Sequence, residues 1–441
     1  MRFLTILLLA SFASAQSTAT APLPLAPGAN IVNITKPGYF NEPSIAVNFN
    51  DPRQLVAAYQ VPTSVAFSQD GGSTWKKAEG TASTGYKVSG DVSITYDSKG
   101  AAILAYLAFD KLGTFNYWAH NATRNGLFVR RSLDGGKTWE PQERPVLAHP
   151  TEPGIPFEDK PYIFADVTHS PHSGNIYVGW TEFSLTKTII LFSHSSDGGA
   201  SWSVPIEIST HEGLPRDDNG AVEGFTGAVA PDGTVYAAWA DGSNIAFTSS
   251  HDGGQNFAPS RSIVSTAPLY FALSGIERCG GFPQLGVDSH GLLYLTWSDY
   301  RNGGVNVFAA TSSNGGESWS AAVRVSSNPL HDGSDQFMQW LAVDPENGAA
   351  NVIFYDRRND PENKLSTVTL ARSTDGGKTF ANYAWTNSGF AGQSDFIGDY
   401  IGIAAHSGRV FGVWTEKPAK QKRHHRTVVR VGLADFNSQA K

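Results

Sequence analysis

Cysteine is all but missing from this chain of 441 residues: Cys279 stands alone, so no intrachain disulfide can form and the fold must rest on its packed core. Charge is scarce as well, at 17% of residues, with a formal net charge of −7. That balance excludes the basic surface a nucleic-acid partner requires. The densest basic stretch, Lys417–Arg426, reads as a solvated loop. Past the first residues no run approaches the ~18 apolar residues of a membrane helix, so no membrane partner is expected. What is abundant is glycine (45) and aromatic side chains (25 Phe, 15 Tyr, 11 Trp). Such a composition excludes a disordered chain or a coiled coil and suits many short strands joined by tight turns.

The chain opens with Arg2, the apolar run Phe3–Ala10 and Ala13-Ser14-Ala15. A charged start, a short apolar core and small residues at the end make a signal peptide over 1–15, cleaved after Ala15. The protein is therefore expected to be secreted or periplasmic, with residues 16–29 a flexible linker, 30–436 one folded domain and 437–441 a tail.

An octapeptide recurs six times: Ser68–Trp75, Ser132–Trp139, Ser195–Trp202, Ser250–Phe257, Ser312–Trp319 and Ser373–Phe380. Its third residues, at 70, 134, 197, 252, 314 and 375, are spaced by 64, 63, 55, 62 and 61. The Asp or Asn accepts backbone N–H groups within a turn, the Gly pair supplies positive φ, and the closing Trp or Phe folds back onto its own unit. Each copy follows one apolar strand and precedes another, with two more strands upstream. The repeating unit is a four-stranded meander A–B–C–D with the octapeptide in the C–D turn, which describes a propeller blade. A–B pairs begin near Pro43, Val92, Pro161, Phe225, Pro283, Trp340 and Tyr400, giving seven units. The seventh lacks its D strand, and Asn30–Thr35 reads as a D strand standing alone. The expected fold is all-β, a seven-bladed propeller closed by the N-terminal strand, with six blades as the alternative.

The octapeptides resemble the Asp boxes of the sialidase-like superfamily. The likeness spans residues 30–436 and extends to secreted Asp-box proteins named exo-sialidases through Glu158-Asp159-Lys160-Pro161-Tyr162, Ser298–Gly303 and Ile397-Gly398-Asp399-Tyr400. The resemblance implies three arginines clamping a carboxylate, a Tyr–Glu nucleophile pair and an Asp acid/base. The Arg-Ile-Pro motif of true sialidases is absent. The triad would come from Arg278, Arg301, Arg357 and Arg358, and Tyr400 would be the nucleophile. Sialidases have six blades, one fewer than the count here.

In an up-and-down blade the A–B and C–D turns share one face. The long connections Phe109–Asn125, Ala148–Lys160, Thr210–Glu223, Thr266–Phe282 and Arg357–Lys364 share the other, where a binding site belongs. Aligning the A strands places Glu42, Asp91, Lys160, Gly224, Phe282, Gln339 and Asp399 at the axial mouth, with Asp159 and Glu223 one residue earlier. Two readings of this ring stay open, a water-filled structural network or an active-site floor in which one carboxyl with a raised pKa is a general acid. Asp91, Glu42, Asp159, Glu223, Asp399 and Tyr400 are the catalytic candidates. Arg278, Lys160, Gln339, Arg301, Arg357 and Arg358 are the substrate-binding ones. A second column on strand B (Gln60, Glu182, Asp241, Asp299, Asp356, Glu416) reads as structural, with Arg301 and Arg358 pairing with their neighbouring acids. Arg278, without a repeat counterpart and opening an A strand, suits an anionic sugar.

No His/Cys pattern has zinc spacing and no cofactor is expected; a structural calcium held by carboxylates stays open, with no loop motif to support it. Three functions fit: an exo-glycosidase acting on an acidic or decorated oligosaccharide or polysaccharide, a polysaccharide lyase using a His or Tyr base such as His120, His211 or His331, and a non-catalytic binder with rim aromatics such as Tyr117 and Trp118. The chain is expected to be a monomer.

Overall fold

The computed structural model describes residues 22–267, 270–386, 388–391, 396–418 and 426–439. The expected signal peptide lies outside the described residues, as does most of the basic stretch at 417–426.

Seven antiparallel sheets of four successive strands make a seven-bladed β-propeller. The first blade is Asn41–Val47, Leu55–Gln60, Ser64–Ser68 and Lys76–Lys77. The A strands of the next five start at Val88, Phe157, Val222, Gln284 and Gln336. The seventh blade joins Gly402–His406, Arg409–Glu416 and Val428–Asp435 to Asn30–Asn33, with Asn30 opposite Leu433 and Asn33 opposite Arg430. The stray N-terminal strand thus supplies the missing fourth strand of that blade and closes the ring. The segment before it departs from a flexible linker: Leu25 bridges Ala384, and the Asp435 N–H donates to the Pro27 carbonyl at 2.7 Å. Ala26 is buried there, which gives the segment an apolar reason to dock.

The second strand of each blade is buried on both faces, since blades stack face to face. Trp180, Trp239, Trp297 and Trp414 are fully buried on these strands. The octapeptides fasten blade to blade. In the second, Ser132 Oγ donates to Asp134 Oδ1 (2.9 Å) and accepts the Gly136 N–H (2.9 Å). Asp134 takes the Thr138 N–H (3.0 Å) and hydroxyl (2.7 Å), and the Trp139 indole N–H reaches the Gly136 carbonyl at 3.1 Å. Gly136 has φ +91°, and a Cβ there would collide with Val56 of the preceding blade. Gly316 meets Phe247 and Gly377 meets Thr311 in the same way. The second glycine is therefore required twice, by its backbone angle and by the neighbouring blade.

Two additions sit on the long-loop face. Tyr270–Leu273 and Ile276–Gly280 form a separate two-stranded hairpin before the fifth blade, so Arg278 belongs to that hairpin and does not open an A strand. Phe390–Ala391 adds to the sixth blade against Leu365 and Ser366. Among the described residues no helix is long and apolar enough to cross a membrane.

Candidate active site

The A strands enter the axis through a bulge. Pairing with strand B skips between Asn41 and Ser44, Gly90 and Ser93, Asp159 and Tyr162, Glu223 and Thr226, and Phe337 and Trp340. The residue inside each bulge has positive φ: Glu42 (+48°), Asp91 (+46°), Lys160 (+47°), Gly224 (+74°) and Met338 (+49°). A bulge re-aims one side chain, and a non-glycine residue in this region costs on the order of 1–3 kcal/mol. The bulge recurs at Gly224 and Met338 as well, so it is a feature of the blades, and in three of them it aims a charged side chain at the axis.

The sixth member of the column is Met338, one residue from the expected Gln339. Gln339 is buried between blades five and six, where its Nε2 donates to the Phe282 carbonyl at 2.6 Å and its Oε1 accepts from Ser298. It is an interblade strut, because the bulge turns it away from the axis.

Six carboxyl groups and two cations converge. Lys160 Nζ lies 2.8 Å from Glu223, 3.0 Å from Asp399 and 3.6 Å from Asp159. Arg278 holds Asp399 at 2.6 Å through one terminal nitrogen and Asp217 through the other. Its guanidinium also sits 4.9 Å from the Phe396 ring and 5.8 Å from the Trp118 ring. Glu42 accepts the Asp399 N–H at 3.0 Å, and Asp91 accepts the Lys160 N–H at 3.3 Å. The carboxyls of Glu42 and Asp159 lie close enough to that of Asp91 to act on its ionisation. Neighbouring carboxyls in a buried site resist joint ionisation, so this row favours the protonated form.

Burial and like charge set the same direction. Burial first, then the Asp399 charge, pushes Glu42 up to about 7. Burial and Glu42 push Asp91 up to about 7. Burial and Asp217 push Glu223 up to about 8. Asp159 is raised by burial and by Asp91, against the opposing pull of Lys160. The surrounding carboxylates hold Lys160 well above the ordinary lysine range despite its burial. Of the six acids Asp91 alone is more than slightly exposed. Glu42, Asp159, Asp217, Glu223 and Asp399 are all buried.

Below the ring, Tyr162, Phe225, Phe282, Trp340 and Tyr400 line an axial cavity of about 30 Å³, room for one or two waters. Tyr400 is buried, packs 5.6 Å from Trp340, and donates its hydroxyl to the Val92 carbonyl (3.3 Å), while burial and the nearby Glu42 charge hold the phenol well above its ordinary range.

The remaining arginines are occupied elsewhere. Arg301 holds Asp299 at 2.6 Å and Arg358 holds Asp356 at 2.5 Å, the in-register pairing expected of them. Arg357 is buried on the carbonyls of Ser274 and Asn363, each at 2.8 Å. No three arginines among the described residues converge on a common point in the manner the resemblance implied. His211 pairs with Asp241 at 2.7 Å on an exposed rim. Asp217 escaped the sequence reading because it lies in a loop outside the repeat register.

No family model matches this chain, and no curated protein matches it. Solved structures do. An endosialidase of phage phi92 superposes with a TM-score of 0.53 at 11% identity, covering 92% of this chain and 69% of that one. An ulvan lyase bound to its disaccharide repeat gives 0.52 at 10%, covering 91% and 95%. An α-L-arabinofuranosidase from Fusarium graminearum with an iminosugar inhibitor gives 0.50 at 13%, covering 78% and 97%. At these identities the likeness is one of fold.

Proposed function

We propose that this chain is a carbohydrate-active enzyme that cleaves a glycosidic bond at the axial mouth of its long-loop face, with Asp91 as the proton donor. The observation that carries this reading is the combination at Asp91: it is the partly exposed member of a carboxyl row that favours the protonated form, and its pKa is pushed up to about 7. A general acid works best when its pKa lies near the working pH, and protonating the leaving oxygen is the task such an acid performs on a glycoside. Glu42 and Asp159, which flank Asp91, are placed to return the proton. Asp399, contacted by both Lys160 and Arg278, and Glu223 lie less than about 6 Å apart on one ammonium group, a spacing at which two carboxyls can flank one glycosidic bond.

The substrate class follows from the charges. Arg278 is spent on Asp217 and Asp399, so the anionic-sugar clamp expected of it gives way to an acid-rich pocket. With that guanidinium engaged by the chain's own carboxylates, a neutral sugar at the point of cleavage is favoured over sialic or uronic acid, whose carboxylate needs an arginine fork. The glycan-acting names of the three structural neighbours support the general class. Product analysis against neutral arabino- and hexo-oligosaccharides, sialosides and uronate-capped oligosaccharides tests it. Release of a saturated neutral sugar, lost in Asp91→Asn, is the expected result. Turnover of sialosides alone, unsaturated products, or full activity in Asp91→Asn overturns it.

A further inference from the structure

A second titratable cluster lies outside this ring. We propose that His149, Glu158 and Glu182 form a site for one divalent cation of the zinc class, seated between blades two and three. The three side chains come from three strands: His149 ends Arg144–His149, Glu158 lies on Phe157–Ala165 and Glu182 on Ile176–Phe183. One ligand atom from each falls within 4.8 Å of the other two. One imidazole nitrogen and two carboxylate oxygens are a donor set that zinc accepts, with water completing its coordination.

Two features separate this cluster from an ordinary acidic pair. The first is register. Glu158 and Glu182 are cross-strand partners directly opposite each other, and Glu158 is 1% exposed. Like charges in that position are destabilising unless a cation lies between them. The second is the comparison with the sister blades, where the acid ending strand B has a basic side chain of its own. Asp299 has Arg301, Asp356 has Arg358, Glu416 has Arg430 at 3.4 Å, and Asp241 has His211. At the same place blade three sets one histidine against two carboxylates, with no arginine among the three, and that histidine already holds Glu158, its Nε2 lying 2.5 Å from Oε1. The indole N–H of Trp180 shows the same exchange. Trp297 and Trp414 donate to the strand-B acid of their own blade, whereas Trp180 donates to Glu158 and leaves Glu182 turned to the cluster. A metal ion there adds the positive charge that an arginine brings in three of the sister blades.

The surroundings already orient the ligands. Trp180 fixes one oxygen of Glu158, and Asn125 Oδ1 accepts the Glu158 N–H at 3.2 Å while its amide donates to the Pro156 carbonyl at 2.9 Å. Outer partners of this kind hold ligand geometry. The ion would tie the crossover 150–156 to the strand that carries Asp159 and Lys160, making it a positioning element for the axial site.

The test uses the full-length protein stripped with chelator, shown folded by circular dichroism, and titrated with Zn²⁺ by calorimetry and thermal melting. One equivalent bound per chain, with a rise in Tm, is expected. His149→Ala and Glu182→Gln, each folded by the same criterion, should lose that equivalent and its Tm rise, and elemental analysis of the purified chain should find the metal in the parent only. No saturable binding, or the same binding in both variants, overturns the proposal. If Glu182→Gln raises the metal-free Tm and the parent binds nothing, the pair merely shares a proton and the site does not exist. None of these readouts depends on glycan cleavage, so failure here is distinct from failure of the proposed function.

Discussion

Replacing Asp91 by asparagine separates chemistry from stability in one variant. In the folded protein burial and Glu42 lift the carboxyl from 3.8 to about 7. At about 1.36 kcal/mol per pH unit, that lift equals about 4 kcal/mol of preference for the neutral form. Asp91 titrates beside Glu42 and Asp159 and is partly exposed, so about 1–3 kcal/mol belongs to this site alone. The sign follows from proton counting. Between pH ~4 and ~7 the folded state keeps a proton that the unfolded chain has released, so raising the pH through that window costs stability. Asparagine carries no such burden. It can still accept the Lys160 N–H through its Oδ1, its amide adds no charge beside Glu42 and Asp159, and it tolerates φ +46° better than most residues. Asp91→Asn should therefore melt a few degrees higher than the parent at pH 8, with the gap closing toward zero at pH 4–5. Activity on the cleaved glycan should fall by roughly 10²–10⁴. Melting curves at pH 4.5, 6 and 8, read beside initial rates, check both halves. A variant that melts lower at pH 8, or whose gap does not change with pH, refutes the protonated carboxyl row. Unchanged rates refute the assignment of Asp91.

Arg278→Ala leaves buried Asp217 and Asp399 without one of their cations, so a loss of stability of about 3–5 kcal/mol is expected at pH 8, measured by urea unfolding. A variant with parental stability and only a higher KM would return Arg278 to the role of substrate clamp. The octapeptide acids behave oppositely to the axial ones. Hydrogen bonds from Thr74 hold Asp70 down to about 2, and Asp197, Asp252 and Asp375 also lie at about 2. Their contribution is complete above pH ~4 and is lost as pH falls toward 2, so acid melting should steepen in that range. Asp134→Ala should lower stability by about 1–3 kcal/mol with rates unchanged, since its turn lies on the face opposite the site.

The blade count and the ring closure were legible in the chain because both rest on local chemistry repeated at a fixed interval. An Asp that caps a turn, two glycines that allow positive φ and an aromatic that packs back are properties of eight consecutive residues, and their period counts blades. A seventh unit short of one strand and a lone strand at Asn30–Thr35 complete each other by simple edge pairing. The face carrying the long connections followed from topology for the same reason.

The site was legible only as a column of charges. Glu42, Asp91, Asp159, Lys160, Glu223 and Asp399 do meet at the axis, yet which of them touches solvent and which favour the protonated form depends on bulges that shift register by a single residue. That is why Gln339 was misplaced and Met338 overlooked. Arg278 looked unpartnered in the repeat because its partners, Asp217 and Asp399, come from a loop 61 residues before it and a strand approach 121 residues after it. His149, Glu158 and Glu182 gave no spacing signal because three strands of two blades bring them together. Sequence alone determined the architecture, since periodic local interactions repeat whatever their surroundings. The protonation, the pairing of every arginine and the identity of the exposed acid were decided by tertiary structure, because burial and the distance between charges exist only once the blades have closed.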